Sequence, residues 1–390
     1  MRPIQMVDTK NQYQKIKKEV DSAVLQVMES SAFINGRQVQ DFATNLSSYL
    51  HVKHTIPCAN GTDALQIAMM ALDLQPGDEV IVPSFAYISP VEVIALLRLV
   101  PVFVEVDPKT FCLDATAVEN AITPKTKAII PVHLYGQSAP MNEIMAIAKK
   151  NKLFVIEDNA QAIGCEYIFP GDNGMIASAS PRKKTGTIGD IGITSFHPSK
   201  NLGAFGDGGA LFTSDDELAN KIRMIANHGQ NNRKFYHEIV GCNSRLDTIQ
   251  AAILDIKLRH LDEYAAARNI VADFYDNAFR NHSKITVPFR ASYSTHVFHQ
   301  YTVLIEGGTK SAELRNGLNE FLAKNGIPSK VYYPVPGHQQ KMTKQFNLQL
   351  ASMPVTEWLT DRVLSLPMHT ELGDEELNFI TGKVLEYLNH

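Results

Sequence analysis

The sequence predicts an α/β protein in which a large domain, built on a mostly parallel mixed sheet flanked by helices, is followed by a small α+β carboxy-terminal domain. Three observations carry that prediction. Helical and extended patterns alternate from residue 61 to residue 157, as repeated strand–helix–strand units require. The order changes in the last third, where an extended stretch, a helix, a strand and a final helix follow one another. The length of 390 residues exceeds what one hydrophobic core ordinarily serves.

Residues 12–30 place Ile16, Val20, Val24 and Val27 at helical spacing, and Gly36 marks the exit loop. The alternating region reads as a helix over 61–72, a strand over 79–82, a helix over 90–99 and a strand over 102–106. It continues with an extended run over 127–132, a helix over 142–150 and a strand over 153–157. Residues 169–187 combine glycine, serine and charge without apolar periodicity and read as an exposed loop or hairpin. Ser214-Asp-Asp-Glu217 fits a capping box, so a helix is expected from there towards Ala226. Helical composition extends over 245–279, and the boundary is placed inside it: residues 1–260 form the large domain and 261–390 the small one. In the small domain an extended run over 298–305, a helix over 312–324, a strand over 329–333 and a helix over 375–388 are expected.

A formal net charge of −4, with 20% charged and 44% hydrophobic residues, gives no electrostatic case for nucleic acid or membrane as a partner. Cys58, Cys112, Cys165 and Cys242 are scattered and form no Cys-x-x-Cys pair, so neither a metal site nor a disulfide framework is indicated. The amino terminus lacks a continuous apolar stretch, and no later run approaches the ~18 apolar residues of a membrane span. A cytoplasmic location is expected.

The chemistry concentrates around one lysine. Lys200 stands between the short apolar strand ending at Ser195 and a glycine-dense turn, a setting for a lysine that forms a Schiff base. Forty-two residues earlier, the strand over 153–157 runs into Glu157-Asp158-Asn-Ala-Gln161, where Asp158 can project from a sheet's carboxyl edge. Asn60-Gly61-Thr62 opens a helix whose free amides and dipole favour a phosphate, with Thr62 and Ser195 adding hydroxyls. Transamination on pyridoxal phosphate needs an imine-forming lysine, a carboxylate that keeps a pyridine nitrogen protonated, and phosphate donors. Taken singly, each feature has a plainer reading as a cap or a solvated turn residue. The glycines at 203, 206, 208 and 209 lack dinucleotide-fold spacing, and no Gly-x-x-x-x-Gly-Lys-Ser/Thr run occurs.

Six motifs stand in order along the chain: Cys58-Ala-Asn-Gly-Thr-Asp-Ala-Leu-Gln66, Glu157-Asp-Asn-Ala-Gln161, Ser195-Phe-His-Pro-Ser-Lys-Asn-Leu-Gly203, Gly206-Asp-Gly-Gly-Ala210, Asn227-His-Gly-Gln230 and Val240-Gly-Cys-Asn-Ser-Arg-Leu-Asp247. Together they resemble the DegT/DnrJ/EryC1/StrS sugar aminotransferases over almost the whole length. The resemblance implies a type I pyridoxal-phosphate fold, aspartate aminotransferase-like. It also implies pyridoxal 5'-phosphate as cofactor, alternating with pyridoxamine 5'-phosphate, and a homodimer with shared active sites.

By the same resemblance Lys200 holds the cofactor covalently and shuttles the proton, Asp158 pairs with the pyridinium nitrogen, Gln161 lies near the ring hydroxyl and Phe85 stacks on the ring. Asn60, Gly61, Thr62 and Ser195 serve the phosphate. Asn243 is expected to contact phosphate, and Arg245 substrate, in the neighbouring subunit's site. Tyr332, His338 and His369 complete the substrate candidates. Tyr332-Tyr333-Pro334 stands where many relatives have His-Tyr-Pro, and Met368-His369-Thr370 where Met-His-Pro is frequent.

The implied reaction passes an amino group, from glutamate, to a nucleotide-linked keto sugar, 3-keto and UDP- or dTDP-linked, in surface polysaccharide or O-antigen biosynthesis. Amination at C4 is the nearest alternative. A pyridoxamine-phosphate-dependent sugar dehydratase would carry histidine in place of Lys200, and His197 sits three residues too early. A non-catalytic regulator would add a basic DNA-binding module, of which the chain gives no sign. The separation of Asp158 and Lys200 is longer than the family leads one to expect. The excess falls in 169–187, where Arg182, Lys183 and Lys184 are candidates to meet a nucleotide diphosphate.

Overall fold

The computed structural model describes residues 2–171, 174–231, 233, 235–346 and 352–389. Asp8 starts α1 (Thr9–Ser30) by accepting from the Asn11 amide at 3.0 Å, and Ile16, Val20 and Val27 form its buried stripe. A second helix, α2 (Arg37–Leu50), stands where the sequence indicated only an exit loop. Gly36 caps it because no side chain fits: a Cβ there would lie 2.6 Å from Thr248 Cγ2.

The chain then winds through β1 (His54–Cys58), α3 (Gly61–Ala71), β2 (Glu79–Pro83), α4 (Ser89–Leu96), β3 (Val100–Val104), α5 (Ala115–Asn120), β4 (Thr126–Ile129), α6 (Met141–Asn151) and β5 (Phe154–Asp158). A short antiparallel hairpin, β6 (Glu166–Ile168) and β7 (Arg182–Lys184), brackets the expected loop. After it come β8 (Ile191–Ser195), β9 (Gly209–Thr213) and α7 (Asp216–Ala226).

Seven strands form one sheet in the order β1-β9-β8-β5-β4-β2-β3. β8, β5, β4, β2 and β3 pair in parallel, and β9 runs antiparallel to both β8 and β1. Helices cover both faces, which is why β2 is apolar on both sides. Val80 and Val82 enter one cluster with Leu65 of α3 and Ile222 of α7, while Ile81 enters another with Ile144 and Ile147 of α6.

α7 is capped by Asp215 rather than Ser214. The Asp215 carboxylate accepts from the amides of Glu217 and Leu218 at 2.8 and 2.9 Å, and a charged acceptor outcompetes a hydroxyl. The long helical stretch divides into α8 (Thr248–Leu258) and α9 (Leu261–Phe279), separated at Arg259 and His260.

The carboxy-terminal unit adds β10 (Ile285–Thr286), β11 (Tyr301–Ile305), α10 (Ser311–Lys324), α11 (Pro354–Thr360), β12 (Val363–Leu366) and α12 (Asp374–Leu388). Its three strands form an antiparallel sheet in the order β10-β11-β12. The strand expected over 329–333 does not form; Lys330 makes only an isolated bridge to Ser365. Pro328, Pro334 and Pro336 surround that segment and cannot donate to a ladder. Ile4 is buried in this unit's core, and Arg2 Nε bonds Glu376 Oε1 at 2.8 Å, so the first residues of the chain pack on the last unit. Among the described residues no helix is long and apolar enough to cross a membrane.

Candidate active site

The parallel strands end at one edge of the large sheet, and strand register brings the chemistry-bearing motifs together there. Gly209 pairs with Cys58 on one side and Ser195 on the other, so the ends of β1 and β8 flank the start of β9. α3 begins just after β1 and therefore starts at the same edge. Asn60 Oδ1 accepts from the Asp63 amide at 2.8 Å, and the other first-turn amides have no partner within the helix. Glycine is needed where the helix start meets the strands: a Cβ on Gly61 would lie 2.9 Å from Ser195 Cβ, and one on Gly209 would lie 2.5 Å from the Asn60 carbonyl. Thr62 Oγ1 and Ser89 Oγ are 2.9 Å apart beside this turn.

A cavity of about 420 Å³ opens here, within the range of small-molecule sites. Asn60, Gly61, Thr62, Asp158, Gln161, Ser195 and Lys200 all line it. Asp158, the last residue of β5, is buried and accepts from the Ala160 amide at 3.0 Å. Burial raises its pKa above the usual value, against the lowering effects of that amide, Lys200 and His133. Burial likewise pulls the Lys200 ammonium down to about 8, opposed by Asp158. Both groups move towards their neutral forms, so desolvation outweighs their mutual attraction.

Glu157 faces the other way, as alternation along a strand requires. His133 Nδ1 accepts from the Ala139 amide at 3.1 Å, which leaves Nε2 to donate to Glu157 at 2.9 Å. The Glu157 carboxylate also accepts from the amides of Gly186, Ile188 and Gly189. Burial opposes its ionisation, but these bonds hold its carboxyl below the ordinary value. The paired acids thus divide the work: Glu157 anchors the turn before β8, and Asp158 serves the cavity. Gln161 is fixed at both ends, accepting from the Tyr135 amide at 2.8 Å and donating to the Tyr333 hydroxyl at 3.0 Å.

Tyr332 lines the cavity too, whereas other candidates lie elsewhere in the chain's own fold. Phe85 is buried beneath the wall, 6.3 Å from both Phe111 and Tyr333 between ring centroids, and Tyr87 takes the lining position near it. Asn243 is exposed and bridges to Asn227. Arg245 lines a separate groove of about 850 Å³ with His51, Lys53, His54 and Arg223. His338 is anchored at the end of β2, its Nδ1 2.5 Å from Ser84 Oγ. His369 is buried and accepts from the Glu371 amide at 3.2 Å. Arg182 and Lys184 face Glu166 across the hairpin at 3.4 and 3.1 Å and do not line the cavity.

Sequence reasoning missed Tyr87, Ser89, Asp207, His299 and Gln300 on the cavity wall. For His299 and Gln300 the available signal was a polar pair at the mouth of an apolar strand, where a side chain can leave the core.

The residues fit pyridoxal phosphate on structural grounds. The glycine contacts leave a helix start with hydroxyls around it, a lysine of depressed proton affinity shares the cavity with a buried carboxylate, and the space suits one ring with its phosphate.

A family model described as the DegT/DnrJ/EryC1/StrS aminotransferase family matches residues 14–385. The chain is 42% identical over 389 residues to a Geobacillus stearothermophilus protein named pleiotropic regulatory protein, covering 99% of each. It is 42% identical over 377 residues to the UDP-2-acetamido-2-deoxy-3-oxo-D-glucuronate aminotransferase of Pseudomonas aeruginosa, covering 97% of this chain and 98% of that one. Its fold superposes on the crystal structure of S. venezuelae DesV in complex with a ketimine intermediate with a TM-score of 0.91, at 35% identity and full coverage of both chains.

Proposed function

This chain belongs to the DegT/DnrJ/EryC1/StrS aminotransferase family, and from that premise we propose that it transfers an amino group from glutamate to a nucleotide-linked keto sugar, with a 3-keto sugar on UDP or dTDP as the preferred class. The observation that carries this reading is the convergence of Lys200, Asp158, Gln161 and the start of α3 on one cavity. The name of the Pseudomonas relative, a 3-oxo UDP-sugar aminotransferase matched over nearly its whole length, supports the 3-keto class over amination at C4.

Pyridoxal 5'-phosphate, the cofactor of the family, supplies when bound the electron sink that makes amino-group exchange possible. Asn60, Gly61, Thr62 and Ser195 would hold its phosphate at the helix start. Asp158 would hold a proton at the ring nitrogen, and the resulting charge-assisted hydrogen bond favours the ionised carboxylate that burial alone disfavours. Gln161, locked by Tyr135 and Tyr333, has one orientation to offer the ring hydroxyl. Lys200, with a pKa of about 8, is part neutral near neutral pH and can take a proton from the reacting carbon and return it.

The remaining parts of the reading are the homodimer, the cytoplasmic setting and a place in surface polysaccharide or O-antigen biosynthesis. Asn243 and Arg245 lie away from the chain's own cavity, and Arg245 shares its groove with other basic side chains; both placements suit residues that serve a neighbour's site. Incubation of the cofactor-loaded protein with glutamate should release one equivalent of 2-oxoglutarate per subunit with loss of the visible cofactor absorbance. UDP- or dTDP-linked 3-keto sugars should then restore the absorbance. No release from glutamate would refute the transaminase reading, and restoration by 4-keto sugars alone would move it to C4.

A further inference from the structure

His299, on the cavity wall, is only 5% exposed, and its Nδ1 is buried without a hydrogen-bond partner among the described residues. Its Nε2 lies 3.4 Å from Gln300 Nε2. A side-chain amide nitrogen only donates, so the imidazole Nε2 accepts and the proton of the neutral ring sits on Nδ1. The ring is neutral: burial first, then the charges of Lys200, Arg268 and His197, holds its pKa well below the ordinary value. The result is a buried N–H with no acceptor among the described residues, a costly arrangement unless a ligand supplies one.

The backbone holds this donor in place under strain. Phe298, just before it, has φ of 42°, and its carbonyl accepts from the buried Arg268 Nη1 at 2.9 Å. Gly136 packs against the same peptide so closely that a Cβ there would lie 2.9 Å from the amide nitrogens of Phe298 and His299. Strain kept at a cavity wall, with an unsatisfied donor next to it, is the pattern of a binding position.

The surroundings decide the ligand chemistry. The charges felt most strongly by His299 are those of basic groups, so an anionic oxygen is the favoured acceptor. The phosphate cradle is at the start of α3, whereas His299 belongs to the wall built on Tyr135: the Gln300 amide donates to the Tyr135 carbonyl, and the Tyr135 amide to Gln161. Lys200, the reacting amine, is the first charge acting on His299, and the anion nearest a reacting carbon in an amino acid is its own carboxylate. We propose that His299 is a binding residue for the carboxylate of the amino-group donor, its Nδ1–H donating to one carboxylate oxygen. This rests on the transaminase reading above, which makes an amino acid the donor.

Glutarate, a dicarboxylate without an amino group, is the probe, titrated calorimetrically into cofactor-loaded protein. His299→Phe removes the donor and should weaken glutarate about 10- to 100-fold, while a nucleotide-linked sugar binds within about twofold of wild type. His299→Asn, whose amide nitrogen can replace Nδ1–H, should restore glutarate binding to within about threefold. In wild-type protein labelled with ¹⁵N-histidine, the His299 Nδ1–H resonance should shift downfield on saturation with glutarate, a readout independent of any variant's folding.

Unchanged glutarate affinity in His299→Phe, an equal loss of both ligands, or an unmoved Nδ1–H signal would overturn the proposal. Release of 2-oxoglutarate by wild type is scored separately. Turnover with glutarate binding untouched by His299→Phe removes the carboxylate site alone. No turnover, with binding lost in His299→Phe, removes the transaminase reading and leaves the site.

Discussion

Replacing Lys200 by Met removes the amine on which the chemistry depends and should nevertheless make the protein more stable at neutral pH. Lys200 is half-buried, and burial moves its ammonium from 10.5 to about 8 against the attraction of Asp158. At about 1.36 kcal/mol per pKa unit, that displacement corresponds to about 3 kcal/mol. A lysine whose folded pKa lies below its unfolded one binds fewer protons in the native state between those two values, so stability rises with pH across that window. The cost is therefore fully present below about pH 8 and vanishes as pH rises through about 10.5. Methionine has a similar reach and no charge to desolvate. Urea unfolding of cofactor-free protein, followed by circular dichroism, should show Lys200→Met more stable by up to about 3 kcal/mol at pH 7, with a smaller gap at about pH 9.5. A variant no more stable than wild type at pH 7, or a gap that does not close with pH, would refute the reasoning.

Changes at three further residues test the geometry. His133→Ala strips a buried carboxylate of its histidine donor and should cost about 3–5 kcal/mol by urea unfolding; a loss below about 1 kcal/mol would mean the three amides suffice for Glu157. Because the folded Glu157 carboxyl sits below 4.5, its stabilisation is complete above that pH and lost as pH falls further, and His133→Ala should move this acid limb to higher pH. Asn60→Ala removes the α3 cap and should lower stability by about 1 kcal/mol, with Asn60→Asp near wild type; equal losses in both would show that the cap bond is not the cause. Gly61→Ala forces the helix start away from Ser195 and should weaken pyridoxal-phosphate binding at least about tenfold by fluorescence titration, an expectation that unchanged affinity would contradict.

The strand and helix alternation was legible because each buried strand is a short apolar run that only helices on both faces can cover. The motifs around Asn60, Asp158 and Lys200 were legible as a site because parallel strands deliver their carboxyl ends to one edge. α2 was not, since Phe42, Leu46 and Leu50 are spaced through a run of Ser, Thr and Asn that reads as loop. The segment over 329–333 has the β-branched and aromatic residues of a strand, but its flanking prolines leave the tyrosines on the cavity wall. His299 escaped for a different reason. It lies 99 residues beyond Lys200 in the chain, and the two are brought together by the pairing of the 296–300 segment with the turn at Tyr135 and by the Asn201 side-chain amide, which donates to the Val297 carbonyl at 2.8 Å.

The burial of Ile4 among residues that end with Leu388 has a consequence for how the polypeptide is made. A ribosome adding about 5–20 residues per second releases this isoleucine long before its neighbours, so it waits exposed for tens of seconds. Closing so long a loop raises the entropic barrier only slowly with length, but the cluster that receives Ile4 is complete only when the final helix has emerged. The last unit's core is therefore completed only after the segment ending at Leu388 has left the ribosome, and residues 2–4 remain open to proteolysis until they dock on it.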